Sequence, residues 1–328
     1  MQADIYLLNR ERRMAQFLPQ MNSQVSLRHI SMKVQVLMST YNGERYLEPQ
    51  LKSLFNQKDV DVCVLVRDDG STDATIDILH AWSLSHDLTY YQGENLKPAR
   101  SFMHLISQAG EADYYAFCDQ DDVWDEDKLM MAVNALKDHK EPALYMSATK
   151  IVDENLHYIE TKPVNTYHTL ENAMIKNEAT GCTQVFNDAL LKVMQRYSPS
   201  FIKMHDSWIT RVTYAIGGFV YIDDHAYINY RQHGDNVLGY KEPKLKKLLG
   251  QLKEAFGDHV RIRQNIALEL LQGYSDLITP EAMPLIKAFS DYPTNKASKR
   301  YLLHDSLLKT PYSNINKRIR LAIRLNKF

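Results

Sequence analysis

Four short apolar segments, each closed by a polar cluster and separated by a helix-length stretch, constrain this chain more than any other feature. Val34, Val36 and Met38 lie in the first, Val60–Val66 form the second, Leu88–Gln92 the third and Tyr114–Cys118 the fourth. Runs this short, rich in β-branched and aromatic residues, read as buried strands. Between the first two, Leu47, Leu51, Leu54 and Phe55 recur at i, i+4, i+7 and i+8, one face of a helix. Asp73 stands where an N-cap would open a second helix through Ile76, Leu79 and Trp82. Asn95 and Pro98 open a third, with proline in the first turn, where its missing N–H costs little. Crossovers of this length between strands predict a mostly parallel, right-handed sheet covered by helices, an α/β fold.

After residue 143 the pattern is mixed, with strands expected near 143–149, 182–186 and 226–231 and helices near 188–197 and 206–216. Beyond Lys241 it reads as helical and basic, with no strand. Three regions result: an N-terminal extension over 1–32, an α/β domain over 33–240 and a basic helical region over 241–328. The formal net charge of -1 excludes a polybasic nucleic-acid binder for the chain as a whole. It conceals a split, because residues 241–328 carry 17 basic and 8 acidic side chains. Cys63, Cys118 and Cys182 are odd in number and match no zinc spacing, which points to a reducing cytoplasm. No run approaches the roughly 18 apolar residues of a membrane span.

The polar clusters fall at the C-terminal ends of strands, the edge where open α/β sheets bind ligands. Asp119-Gln120-Asp121-Asp122 closes the fourth strand. Two carboxylates one residue apart can reach one divalent cation, and hard oxygen ligands select magnesium or manganese, which complete their shells with substrate phosphates. A calcium loop counted from Asp119 fails, because its sixth position is Trp124 and its twelfth is Met130. Asp68-Asp69-Gly70-Ser71 closes the second strand; taken alone it is an ordinary turn, although a carboxylate there can accept the imide N–H of uracil or thymine. No Walker loop and no Gly-x-Gly-x-x-Gly occurs, so phosphates bound here need a metal.

Ser39-Thr40-Tyr41-Asn42-Gly43 with Tyr46-Leu47, then Arg67-Asp68-Asp69-Gly70-Ser71-Thr72-Asp73, then Asp119-Gln120-Asp121-Asp122-Val123-Trp124, in this order, resemble glycosyltransferase family 2. More narrowly they resemble its bacterial rhamnosyltransferase-like branch, over about Lys33 to Gly239. The resemblance implies a GT-A fold, Rossmann-like with a mostly parallel central sheet, here with a helical C-terminal extension. It also implies a nucleotide-diphosphate-sugar donor, a divalent metal (Mn or Mg) and inversion at the anomeric carbon. Matched by motif, Thr40 and Tyr41 flank the base, Asp69 reads it, Asp119 lies near ribose or metal, and Asp121 is the metal ligand. Gly181, in Thr180-Gly181-Cys182, matches a glycine loop near the donor sugar, or is a plain loop before a strand. Asp206, in His205-Asp206-Ser207-Trp208, takes the place of the catalytic base, or is a helix N-cap. Many members have Glu-Asp there, so His205 is a departure without an assigned role. His233, in Tyr230-Arg231-Gln232-His233, matches a histidine that holds metal or diphosphate, with a structural histidine as the alternative. Arg231 could pair with the diphosphate or form a surface salt bridge, and Arg100 is a further donor-site candidate.

The implied enzyme is a metal-dependent inverting glycosyltransferase of cell-surface polysaccharide synthesis, with dTDP-rhamnose the first expected donor and UDP-hexoses next. Its acceptor would be a saccharide or a lipid-linked saccharide. A nucleotidylyltransferase is the rival enzyme, but it needs a basic Gly-rich loop where Ser39–Glu44 stands. A catalytically silent sugar-nucleotide-binding module is the non-enzymatic rival. Asn314–Phe328 holds Lys317, Arg318, Arg320, Arg324 and Lys327 with no acid, and Ile315, Ile319, Ala322 and Ile323 recur near helical spacing. Such a helix can lie on the anionic inner leaflet of the cell membrane, or pack on the domain with a solvated basic face.

Overall fold

The computed structural model describes residues 31–164, 169–175, 180–233, 261–304, 307–308 and 313–328. The extension over 1–30 and the basic stretch up to residue 260 lie outside the described residues, as do 234–236 of the histidine segment. The four predicted strands are present as β1 (Met32–Thr40), β2 (Val60–Asp68), β3 (Leu88–Gln92) and β4 (Tyr114–Asp119). The helices between them are α1 (Leu47–Phe55), α2 (Thr75–Ser83) and α3 (Lys97–Gln108). β1 pairs in parallel with β2 and β4, and β2 with β3. Asp73 is not the N-cap of α2. Ala74 holds that position, while the Asp73 carboxylate accepts the Thr75 N–H one residue further in.

The second half adds β5 (Val123–Trp124), α4 (Lys128–Leu136), β6 (Ala143–Val152), β7 (Tyr158–Lys162), α5 (Leu170–Ile175), β8 (Val185–Asn187), α6 (Asp188–Gln195), α7 (His205–Ala215) and β9 (Phe219–Arg231). The sheet runs β3-β2-β1-β4-β8-β6-β9-β5, and β7 pairs with β6 off that path. β6 and β9 are parallel, whereas β8 runs antiparallel to both β4 and β6. The strand expected near 182–186 is a 3-10 turn over Gly181–Thr183 followed by the short β8. The turn closes because both the N–H and the hydroxyl of Thr183 donate to the Thr180 carbonyl. β5 and β7 were not anticipated. β5 is two residues long, too short to show a pattern, and β7 is exposed along its whole length, so neither reads as a buried strand.

Side chains alternate across the sheet with a period of two. Val34, Val36, Met38, Val64, Val66, Ala116 and Cys118 face one core with α1, α2 and α4. Leu37, Leu65, Tyr115 and Phe117 face the other, with α3, α5, α6 and α7. The C-terminal helices α8 (Ile262–Tyr274), α9 (Met283–Asp291), α10 (Lys296–Leu302) and α11 (Ser313–Arg324) add Ile266, Leu270, Phe289, Leu302, Ile319 and Ile323 to that second core. Each fully buried side chain of this size contributes about 1.5–3 kcal/mol of transfer free energy. The C-terminal helices therefore share the core that supports α3 and α7.

Candidate active site

Register brings the polar clusters to one sheet edge. Thr40 at the end of β1 stands beside Asp68 of β2, and Ser39 stands beside both Arg67 and Asp119. The loops after β1 and β2 are joined to each other by hydrogen bonds. The Asn42 side chain accepts the Thr72 N–H, its own N–H donates to Ser71 Oγ, the Gly43 N–H donates to Thr75 Oγ1, and the Glu44 N–H to Asp73. Asp68 builds the turn: it accepts the N–H groups of Gly70 and Ser71 and the hydroxyls of Thr40 and Ser71. Gly70 has φ +85°, a conformation that L side chains rarely adopt. Gln120 of the acidic cluster brackets the backbone of Tyr41, accepting its N–H at 2.8 Å and donating to its carbonyl at 3.1 Å.

Among the expected base-binding residues, Thr40 is buried with its hydroxyl on Asp68, while Tyr41 presents its ring to solvent, 49% exposed. Asp69 is buried, ion-paired with Arg67, and accepts from Ser101 Oγ and the Leu96 N–H at 2.9 and 3.0 Å. A carboxylate offers about four lone-pair sites, and three of them are occupied in this way. Arg100 points away from this group and donates to the Ser200 carbonyl at 2.7 Å.

The metal candidates converge. His233 Nε2 and Asp121 Oδ2 lie 2.7 Å apart although 112 residues separate them. Arg231 donates through Nε to the Asp121 carbonyl and through Nη1 to the Glu154 carbonyl, and its N–H donates to Asp122 Oδ1. Its guanidinium lies over the Tyr46 ring, which also packs against His233 at 4.6 Å. Arg231 is thus a buried brace of the acidic loop rather than part of a surface salt bridge. Burial and then the charges of Asp121 and Asp206 push the Asp119 carboxyl up to about 7. Asp122 is raised well above the usual carboxylate range, by burial and then by Asp121 and Asp119.

Asp119, Asp122 and Cys182 also offer ligand atoms within 4.8 Å of one another. Lys128 is buried beside Asp122 and Cys182, its ammonium 3.5 Å over the Trp124 ring. A fixed cation there opposes a second one, whereas Asp121 and His233 are the pair that the structure brings within bonding distance. Carboxylate oxygens with one imidazole suit manganese or magnesium.

Asp206 sits in the first turn of α7, one residue inside it, since the N-cap is Met204. It is not the cap. Its carbonyl accepts Gln184 Nε2 and Thr210 Oγ1, which fix the start of the helix. A Cβ on Gly181 would meet His205 Nε2 at 2.6 Å and Asp206 Cβ at 3.4 Å, so the glycine lets the turn and the helix touch. His205 is buried between Phe102, stacked at 3.8 Å, and Phe117, edge-on at 4.7 Å. Burial lowers its pKa to about 3. It is a neutral packing residue at neutral pH. Gln120, Tyr46, Arg67 and Cys182 also belong to this site. All four lay inside the quoted motifs, but only three-dimensional pairing reveals their work.

Sheet order, with the polar clusters gathered at the strand ends, defines a fold of GT-A type. Residues 35–192 match the family Glycosyl transferase family 2. Over that segment, just under half of the chain, its sequence is that of a family 2 glycosyltransferase. It is 28% identical over 223 residues to dTDP-rhamnosyl transferase RfbG of Shigella flexneri, covering 62% of this chain and 73% of that one. It is 24% identical over 283 residues to the poly(ribitol-phosphate) β-N-acetylglucosaminyltransferase TarS of Staphylococcus aureus, covering 80% of this chain but only 49% of TarS. The crystal structure of S. aureus TarS residues 1–349 with UDP-GlcNAc superimposes with a TM-score of 0.54 at 20% identity, over 90% of this chain and 93% of that one. That likeness shows the fold. Among the described residues no helix is long and apolar enough to cross a membrane.

Proposed function

We propose that this protein is a metal-dependent, inverting glycosyltransferase that moves a sugar from a nucleotide diphosphate to a saccharide or lipid-linked saccharide in cell-surface glycan synthesis. The observation that carries this reading is the shared sheet edge, where Ser39 stands beside both Arg67 and Asp119 and Thr40 beside Asp68, with His233 bonded to Asp121 in the loop that follows. Tyr41 would stack on the base and Asp69 would accept its imide N–H. Asp121, His233 and Asp119 would hold a divalent ion, which supplies charge neutralisation for the departing diphosphate. Asp206 would take the proton from the attacking acceptor hydroxyl on the face opposite the leaving group, so a single displacement inverts the anomeric centre. Support for that role comes from its electrostatic influence on Asp119 and from Gly181, which seats it against the loop. Arg231 would act by positioning Asp121, and Gly181 by positioning Asp206.

The likeness to RfbG puts dTDP-rhamnose first among donors; the likeness to TarS keeps UDP-N-acetylhexosamine in the comparison. The place of work we assign is the cytoplasmic face of the cell membrane, where nucleotide sugars meet lipid-linked acceptors and the basic C-terminal region meets anionic lipid. A thermal-shift and hydrolysis screen of dTDP-rhamnose, UDP-glucose and UDP-GlcNAc, each with and without manganese, tests the catalytic reading. Metal-dependent stabilisation and turnover with one donor is expected. No metal-dependent response to any of them refutes it.

A further inference from the structure

We propose that the outward face of α11 is a preformed docking surface for an anionic lipid bilayer. This deepens the membrane reading above and rests on it, while being independent of the donor and the chemistry. The helix is fixed to the protein body. Ile319 and Ile323 are buried in the core, and Phe328 is held at both its N–H and its carbonyl by the Tyr292 hydroxyl at 2.9 and 3.0 Å. Lys299 of α10 donates to the Arg324 carbonyl at the helix end. Successive residues of a helix turn by about 100°, so the direction opposite Ile319 and Ile323 is that of Leu321, with Leu325 close beside it.

Both leucines are exposed, each by 53%. Lys317, Arg318 and Arg324, also exposed, flank that crest, and no acid occurs from Ser313 to Phe328. A helix that only packed on its domain has no need of apolar residues at the crest. Here apolar side chains stand there between cations, the pattern of a helix that lies in the headgroup region with its charges on anionic phosphates. Exposed Lys296 and Arg300 on the adjoining α10 extend the positive field. A nucleic acid would satisfy the cations but leave both leucines in water, which favours the bilayer. Because the helix is already folded and anchored, binding incurs no cost of ordering it.

Cosedimentation of the full chain with phosphatidylcholine vesicles containing 30% phosphatidylglycerol, against pure phosphatidylcholine vesicles, tests this. Binding is expected only with the anionic lipid, weakening as salt rises. Leu321→Ser with Leu325→Ser should weaken it at least tenfold. Lys317→Ala and Arg324→Ala should each weaken it about fivefold. Thermal melts should be unchanged, since these four positions are exposed. Anionic-vesicle binding that survives all four changes overturns the assignment to α11 while leaving membrane attachment standing. No vesicle binding, or equal binding to neutral vesicles, overturns both. Loss of vesicle binding in the presence of equimolar single-stranded RNA, with RNA retained on the protein instead, also overturns the bilayer as occupant. The donor screen is unaffected by any of these results.

Discussion

Substituting Gly181 by alanine isolates the contact that seats the proposed base. The new Cβ would stand 2.6 Å from His205 Nε2, and ordinary contact begins at 3.4 Å, so something must yield by about 0.8 Å. The imidazole has nowhere to go, with Phe102 stacked on it at 3.8 Å and Phe117 against its edge at 4.7 Å. The displacement therefore passes to the first turn of α7, which carries Asp206. Overpacking of this kind costs about 1–3 kcal/mol, a fall of a few degrees in Tm for a chain of this size. Misplacing a catalytic group by nearly 1 Å costs on the order of 100-fold in rate. The expected result is normal donor affinity by calorimetry, with metal-dependent donor hydrolysis reduced roughly 10- to 100-fold. In a His205→Ala background the ring is gone, the remaining 3.4 Å approach to Asp206 Cβ is ordinary, and adding Gly181→Ala should then cost little. An equal loss in both backgrounds, or no loss in the native one, would refute the steric reasoning.

Asp206→Asn should retain donor binding and lose about 100- to 10,000-fold in transfer or hydrolysis, read by single-turnover kinetics; normal turnover removes Asp206 as base. Asp121→Ala and His233→Ala should each abolish the increment that manganese adds to nucleotide-diphosphate affinity, while metal-free affinity stays the same; calorimetry with and without the ion decides. Buried His205 stays neutral down to about pH 3, whereas an unfolded histidine takes up its proton near pH 6.5. Between those values the unfolded chain holds more protons, so stability falls as pH falls, by up to about 1.4 kcal/mol per pH unit from this one group. His205→Phe should flatten that acid limb in urea titrations from pH 6.5 downward, and an unchanged slope counts against the buried neutral ring.

The first four strands were legible because each pairs a dense apolar run with a breaker. Val60–Val66 followed by Asp68-Asp69-Gly70 is the plainest case, and its register with Thr40 made the polar ends coincide. The mixed half was less legible. β8 is only three residues long and is defined by pairing with β4 and β6, which no local pattern announces. Asp121 and His233 were readable as residue types suited to a metal, but their 2.7 Å approach depends on β9 returning beside β5. Roles changed most where side chains serve the backbone. Arg231 matches phosphate chemistry in sequence, and in the fold its guanidinium also donates to two carbonyls, a bracing task that no motif announces. Arg100, likewise a donor candidate, reaches Ser200 instead.

Arg231 has a mechanical consequence. β6 pairs with β9 along one edge, and along its other edge with β8 near Leu144 and with β7 from Thr149 to Val152. The β6–β7 turn therefore stands on the same flank of β6 as the short strand that follows the Gly181 turn. One guanidinium ties that turn, through the Glu154 carbonyl, to the Asp121 carbonyl of the acidic loop. Arg45 clasps the Glu154 side chain from the helix side at 3.0 Å. Loop and turn are thereby one lever: whatever stiffens Asp121 also stiffens residues 153–157. A ligand that settles the acidic loop would therefore also order the β6–β7 turn, without having to touch it.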